Sequence, residues 1–93
     1  MDNQHKKIKG YRDLTQEEID LMNEIKEKGI ELQALVEKIN SINIDLYNNG
    51  SKDGEIRGLI DRSECIRWTS IAKTNLQQGI MALTRAVAKP EFF

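Results

Sequence analysis

At 93 residues the chain is expected to form a single domain spanning residues 1–93. Charged residues make up 31% and hydrophobic ones 39%, and the few aromatics are two Phe, two Tyr and one Trp; poor in sheet formers and rich in Ile, Leu and Ala, this mixture points to an all-α fold and away from a β-rich one. A formal net charge of -1 lacks the basic excess of a duplex-DNA binder, so no DNA partner is expected.

In chain order, residues 2–9 could form a short helix ended by Gly10. His5, Lys6, Lys7, Lys9 and Arg12 form the one local basic cluster, and Tyr11 and Arg12 fall on the connector that follows. Thr15-Gln16-Glu17-Glu18 is a capping box, in which the Thr15 hydroxyl and the Glu18 carboxylate each accept from the other residue's amide. Leu14 and Ile19 occupy the hydrophobic-staple positions, and Glu17, Glu18 and Asp20 place negative charge at the positive end of the helix dipole.

From that start, Met22, Ile25, Gly29, Leu32, Val36, Ile39 and, more loosely, Ile42 and Leu46 recur at three and four, giving one apolar seam on a helix running to about residue 47. Gly29 on the seam reads either as a tolerated helix glycine or as a point of close approach. Asn48 to Gly54 is rich in turn formers and reverses the chain. Beyond it, Ile56, Leu59, Ile60 and Ile66 form one apolar patch, and Leu76, Ile80, Leu83 and Val87 form a cleaner stripe. The two do not share a register, and Thr74-Asn75-Leu76-Gln77 resembles another capping box, so a break is expected between residues 61 and 75. Pro90 stops the last helix, with Lys89 near its negative end.

Two helices packed as a hairpin bury one seam each and have no third element to close a core. Ile30, Ile44 and Met81 should then stay wet, and association of identical copies is the simplest cure.

No constellation for catalysis stands out. His5 is the only histidine and Cys65 the only cysteine. Neither has a sequence-local partner for nucleophilic work, and together they make neither a zinc site within one chain nor a disulfide. The carboxylates lie at the spacings of solvated helix pairs, such as Glu24 with Lys28. No catalytic residue, metal or cofactor is expected. No apolar run approaches the ~18 residues of a membrane span, and the charged start leads into no signal-peptide core, so a cytoplasmic protein without membrane partners is expected. Taken alone, Tyr11 reads as a packing residue and Lys26 as a solvated lysine.

Two stretches change that reading. His5-Lys6-Lys7-Ile8-Lys9-Gly10-Tyr11-Arg12-Asp13-Leu14-Thr15, continuing through Glu17 to Asn23, and Arg67-Trp68 with Thr74 to Gly79 and Met81 to Pro90 together resemble the phage anti-CBASS sponges. These are small helical-hairpin proteins that soak up cyclic nucleotides made by bacterial immune cyclases. The resemblance covers about two thirds of the chain and is collinear. It departs where Ile66 precedes Arg67-Trp68, a place where proline often stands, and Ile44 to Glu64 has no clear counterpart.

The resemblance implies a short N-terminal helix and an antiparallel helical hairpin assembled as a homohexamer in the infected bacterial host cell. It also implies non-catalytic sequestration of cyclic dinucleotides such as cGAMP in pockets between protomers, with Tyr11 stacking on a purine and Lys26 facing a phosphate. Arg12 is a further candidate there, and Arg67 is the candidate for a second pocket that takes cyclic trinucleotides. The alternatives are a coiled-coil adaptor for another protein and a cyclic-nucleotide phosphodiesterase.

Overall fold

A computed structural model of the protein describes residues 13–49 and 54–92. The helix expected over residues 2–9 and the connector with Tyr11 and Arg12 lie outside the described residues. Three α-helices follow one another: α1 (Gln16–Asn49), α2 (Gly54–Ser63) and α3 (Cys65–Ala88), and among the described residues there is no strand.

The capping box starts α1 as expected. The Glu18 N–H donates to Thr15 Oγ1 at 3.1 Å and the Thr15 N–H donates to Glu18 Oε1 at 2.9 Å, so two amides of the first turn are satisfied reciprocally. From there 34 residues continue as one helix, about 51 Å of rise. Lys28, expected to pair with Glu24, lies 3.7 Å from Glu31 instead.

The expected break is a single residue. Glu64 takes a left-handed conformation (φ 54, ψ 33) between α2 and α3, and its carbonyl accepts from the Trp68 amide at 2.9 Å to open the new helix. Thr74 to Gln77, read as a second capping box, instead lies inside α3. Their capping residues are not needed there, because Glu64 has already restarted the helix. At the far end α3 stops at Ala88. Lys89 caps it in a second left-handed conformation (φ 54, ψ 51), its N–H donating to the Arg85 carbonyl at 2.8 Å. That backbone costs a residue with a Cβ about 1–2 kcal/mol, and glycine usually takes such a position. Pro90 follows, and Arg85 Nη2 donates to the Phe92 carbonyl at 2.8 Å, folding the tail back onto α3.

The two long helices are antiparallel: Glu18 meets Lys89 at one end, and Gly29 faces Ile80 further along. The short helix α2 covers the last turns of α1, with the Arg57 guanidinium 4.5 Å above the Tyr47 ring. The inner seam of α1 begins as read, with Met22, Ile25, Gly29, Leu32 and Val36 half-buried. It then passes through Asn40, Asn43 and Tyr47, while Ile39, Ile42 and Leu46 are exposed. On α3 the same happens at Leu83, which is exposed, while Thr84 takes its place and donates its hydroxyl to the Ile80 carbonyl at 2.9 Å. Of the patch on the second region, Ile60 is buried and Ile56 half-buried, but Leu59 and Ile66 are exposed, and Thr69 replaces Ile66 on the seam.

A helix of 3.6 residues per turn drifts away from a strict seven-residue repeat, so the buried line and the apolar line part company. The result is a hairpin with two apolar faces. Among the described residues Ile60 alone is buried, whereas thirteen large hydrophobic side chains are exposed, including Ile30 at 63% and Met81 at 65%. The accessible surface of 7608 Å² compares with about 5,500 Å² for a compact monomer of this mass.

Gly29 meets no backbone at close range. A Cβ built there would lie 3.8 Å from three atoms of the Ile80 side chain, an ordinary contact. Gly29→Ala should therefore stabilise the fold by about 0.5–1 kcal/mol through helix propensity. A urea titration of the variant checks this, and a lowered midpoint would show that something outside the protomer needs the space.

Candidate ligand-binding surface

Lys26 sits on α1 between the seam positions Ile25 and Gly29 and is exposed. With about 100° of turn per residue, its side chain leaves on the flank of the seam opposite Leu35, Ile39, Ile42 and Leu46. Ile30, one turn on, is exposed beside it. Among the described residues no ion pair engages Lys26, so its ammonium remains available to an anion. The groove between α1 and α3 begins just beyond: Gly29, Leu32, Val36, Leu76 and Ile80 form an apolar floor, and Gln33, Glu37, Lys73 and Gln77 form a polar rim.

Tyr11 and Arg12 lie outside the described residues. The chain reaches α1 through Asp13 and Leu14, and the Leu14–Thr15 peptide is held by Glu18. Glu18 has a second tie: Lys89 Nζ, from the opposite end of the chain, donates to its Oε2 at 2.9 Å and to the Val87 carbonyl at 3.2 Å. No sequence periodicity announces this pair. The only hint was a lysine, rather than a glycine, just past the end of a helix and before proline.

Arg67 is exposed at the start of α3, 3.7 Å from Glu64 and with its guanidinium 5.4 Å from the centroid of the exposed Trp68 ring. By the facing of Gly29 with Ile80 and of Glu18 with Lys89, Arg67 stands roughly 20–25 Å from Lys26 along the hairpin. Within one protomer these two candidates are separate places.

A further feature escaped the single-seam reading. Leu35, Ile39, Ile42 and Leu46, exposed at 51%, 44%, 50% and 44%, repeat at four, three and four, the spacing by which one helix seats against another. Among the described residues no group of three or more His, Cys, Asp or Glu side chains could hold a metal ion, and no helix is long and apolar enough to cross a membrane.

These features define a class of protein: a long helical hairpin with almost no interior, whose ionic and apolar groups both stand on its outer surface. Residues 3–88 match the family described as Acb2/Tad1, hairpin domain. Anti-CBASS protein 2 of Pseudomonas phage JBD67 is 42% identical over 106 aligned positions, covering 98% of each chain. The chain belongs to this hairpin family, the anti-CBASS family that its sequence resembles.

Proposed function

We propose that the protein is a non-catalytic sponge that assembles as a hexamer, sequesters cyclic dinucleotides and so blocks CBASS immunity in the infected bacterial cell. The observation that carries this reading is the kinship with Anti-CBASS protein 2 along 98% of the chain. The surface supports it in two ways. Lys26 offers an ammonium engaged by no ion pair among the described residues, and the outer apolar stripe of α1 calls for a second helix to cover it.

A cyclic dinucleotide is two-fold or nearly so, with two bases and two phosphate charges. An isologous interface supplies every residue twice. Tyr11 from two protomers stacks on the bases, Lys26 from two protomers faces the phosphates as a point charge, and Arg12 assists. Stacking tolerates any base, so rings carrying A or G are bound alike. Arg67, far from Lys26 in the protomer, belongs to a second pocket shared between protomers that takes cyclic trinucleotides.

The test is recovery of ligand. Protein incubated with 3′,3′-cyclic GMP–AMP and then heat-denatured should release the cyclic compound intact, and linear product would make it a phosphodiesterase instead. Calorimetric titration giving neither heat nor thermal shift would favour a helical adaptor that uses the α1 stripe to dock another protein. Native mass spectrometry should give six chains with bound ligand. Lys26→Ala should weaken binding about tenfold to a hundredfold by loss of charge-assisted contacts. It should also flatten the dependence of log K on log salt, because fewer counterions are then displaced.

A further inference from the structure

We propose that the outer stripe of α1 is a two-fold contact, covered by the same stripe of a second copy running antiparallel. The inference deepens the assembly in the reading above and rests on that part of it, but uses no ligand. Leu35, Ile39, Ile42 and Leu46 are exposed. They read the same in both directions: Leu, Ile, Ile, Leu at spacings of four, three and four. A two-fold axis crossing α1 between residues 40 and 41 therefore sets Leu35 opposite Leu46 of the second copy and Ile39 opposite its Ile42, and each layer recurs by symmetry.

The surface is shaped for that register. Ile42, Asp45, Leu46 and Asn49 line a shallow hollow on α1. They stand at i, i+3, i+4 and i+7, the four corners of the hole that receives a knob in coiled-coil packing. The centre of the hollow falls between residues 45 and 46, and the same axis brings Leu35 of the second copy over it. The stripe itself thus supplies the knob that its hole needs.

Charge agrees with the antiparallel direction. Lys38 and Asp45 are exposed one position before Ile39 and Leu46, on the flank of the stripe away from α3. Among the described residues no ion pair engages either. In the antiparallel pair this flank meets its own copy, so Lys38 approaches Asp45 of the second chain, twice. A parallel pair would instead turn it toward Val36 and Asn43, which carry no charge and are half-buried toward α3. Lys26 stands about 170° around α1 from the stripe, so the pairing leaves its face open.

The experiment oxidises cysteine variants of the full-length chain, in a Cys65→Ser background and without ligand. Leu35→Cys/Leu46→Cys should form covalent pairs under mild oxidation, with peptide mapping joining position 35 to position 46, while Ile39 and Ile42 still hold the centre. Either single variant should stay uncross-linked. This register sets two copies of one position about 16 Å apart along the axis, beyond the reach of a disulfide. As a second measurement, Lys38→Asp and Asp45→Lys should each raise the concentration of half-assembly about threefold to tenfold. Combining them should return it to within about twofold of wild type, because each chain then offers the reversed pair.

A cross-linked single variant overturns the antiparallel register. So does a double cysteine variant that stays uncross-linked at the mass of the wild-type assembly, or a charge exchange that restores nothing; if the double cysteine variant dissociates, the charge exchange alone decides. Cross-linking in a protein whose wild type binds no 3′,3′-cyclic GMP–AMP leaves the contact standing and removes the sponge reading. Binding without cross-linking or rescue does the reverse, and a wild-type chain that sediments alone overturns both.

Discussion

Replacing Tyr11 with alanine will abolish cyclic-dinucleotide binding while the assembly and its helicity survive. The size of the effect follows from symmetry. Each base stacked on an aromatic ring is worth ~1–3 kcal/mol, and a two-fold site loses both rings to one substitution. That amounts to ~2–6 kcal/mol, from about thirtyfold to more than ten-thousandfold in affinity. Tyr11→Phe keeps the ring and should stay within about threefold of wild type, since stacking and not the hydroxyl carries the contact. Titration calorimetry on both variants, with circular dichroism and native mass spectrometry as controls, checks this. An alanine variant that binds like wild type would move the site away from the connector.

Placing a lysine on the outer stripe of α1 will dissolve the assembly. Ile42 and Leu46 are half-exposed in the protomer at 50% and 44%, so covering them removes about half of each side chain from water. A fully buried Ile or Leu is worth ~1.5–3 kcal/mol. The loss per site is thus modest, but a lysine adds the far larger penalty of a charge held in an apolar seam. In a symmetric assembly every copy carries it. Ile42→Lys and Leu46→Lys should therefore run as dissociated chains at micromolar concentration, with helicity falling as well because the protomer has so little core. Sedimentation velocity and circular dichroism measure both. If both variants keep six-chain mass and wild-type melting temperature, the stripe is not the contact between copies.

Much of the hairpin was legible in the sequence, and the reasons are local. Thr15 and Glu18 stand three positions apart within one turn, and their reciprocal hydrogen bonds need nothing from the rest of the fold. Pro90 likewise ends a helix by its own covalent structure. What misled was periodicity over distance. Ile39, Ile42 and Leu46 continue the three-and-four spacing from Val36, so they read as one line with Met22 and Ile25. The backbone turns that line out of the hairpin, and Asn40 and Asn43 replace it inside. Polar residues on an inner seam are invisible to a search for apolar ones.

The candidate site divides in the same way. Lys26 is where the reading put it, exposed on α1, because an amphipathic helix fixes which residues stand outside. The link from Glu18 to Lys89 spans 71 residues, and only the antiparallel return of α3 brings the two together. Tyr11, Arg12 and any pocket between protomers depend on residues or copies beyond the described hairpin, and there the resemblance to known sponges carries the assignment.

Ile60 is the one side chain among the described residues that the hairpin hides from water, and this bears on dose. A hairpin that gained its interior by joining others, as proposed above, would be stabilised by its own abundance: for an assembly of six chains each tenfold rise in concentration adds roughly 1 kcal/mol per chain. Dilution would then act on it as heat does. Under the proposed function, scarce copies early in an infection would stay open and capture nothing; once translation passed the level at which the six-chain assembly forms, capacity would climb more steeply than the number of chains made.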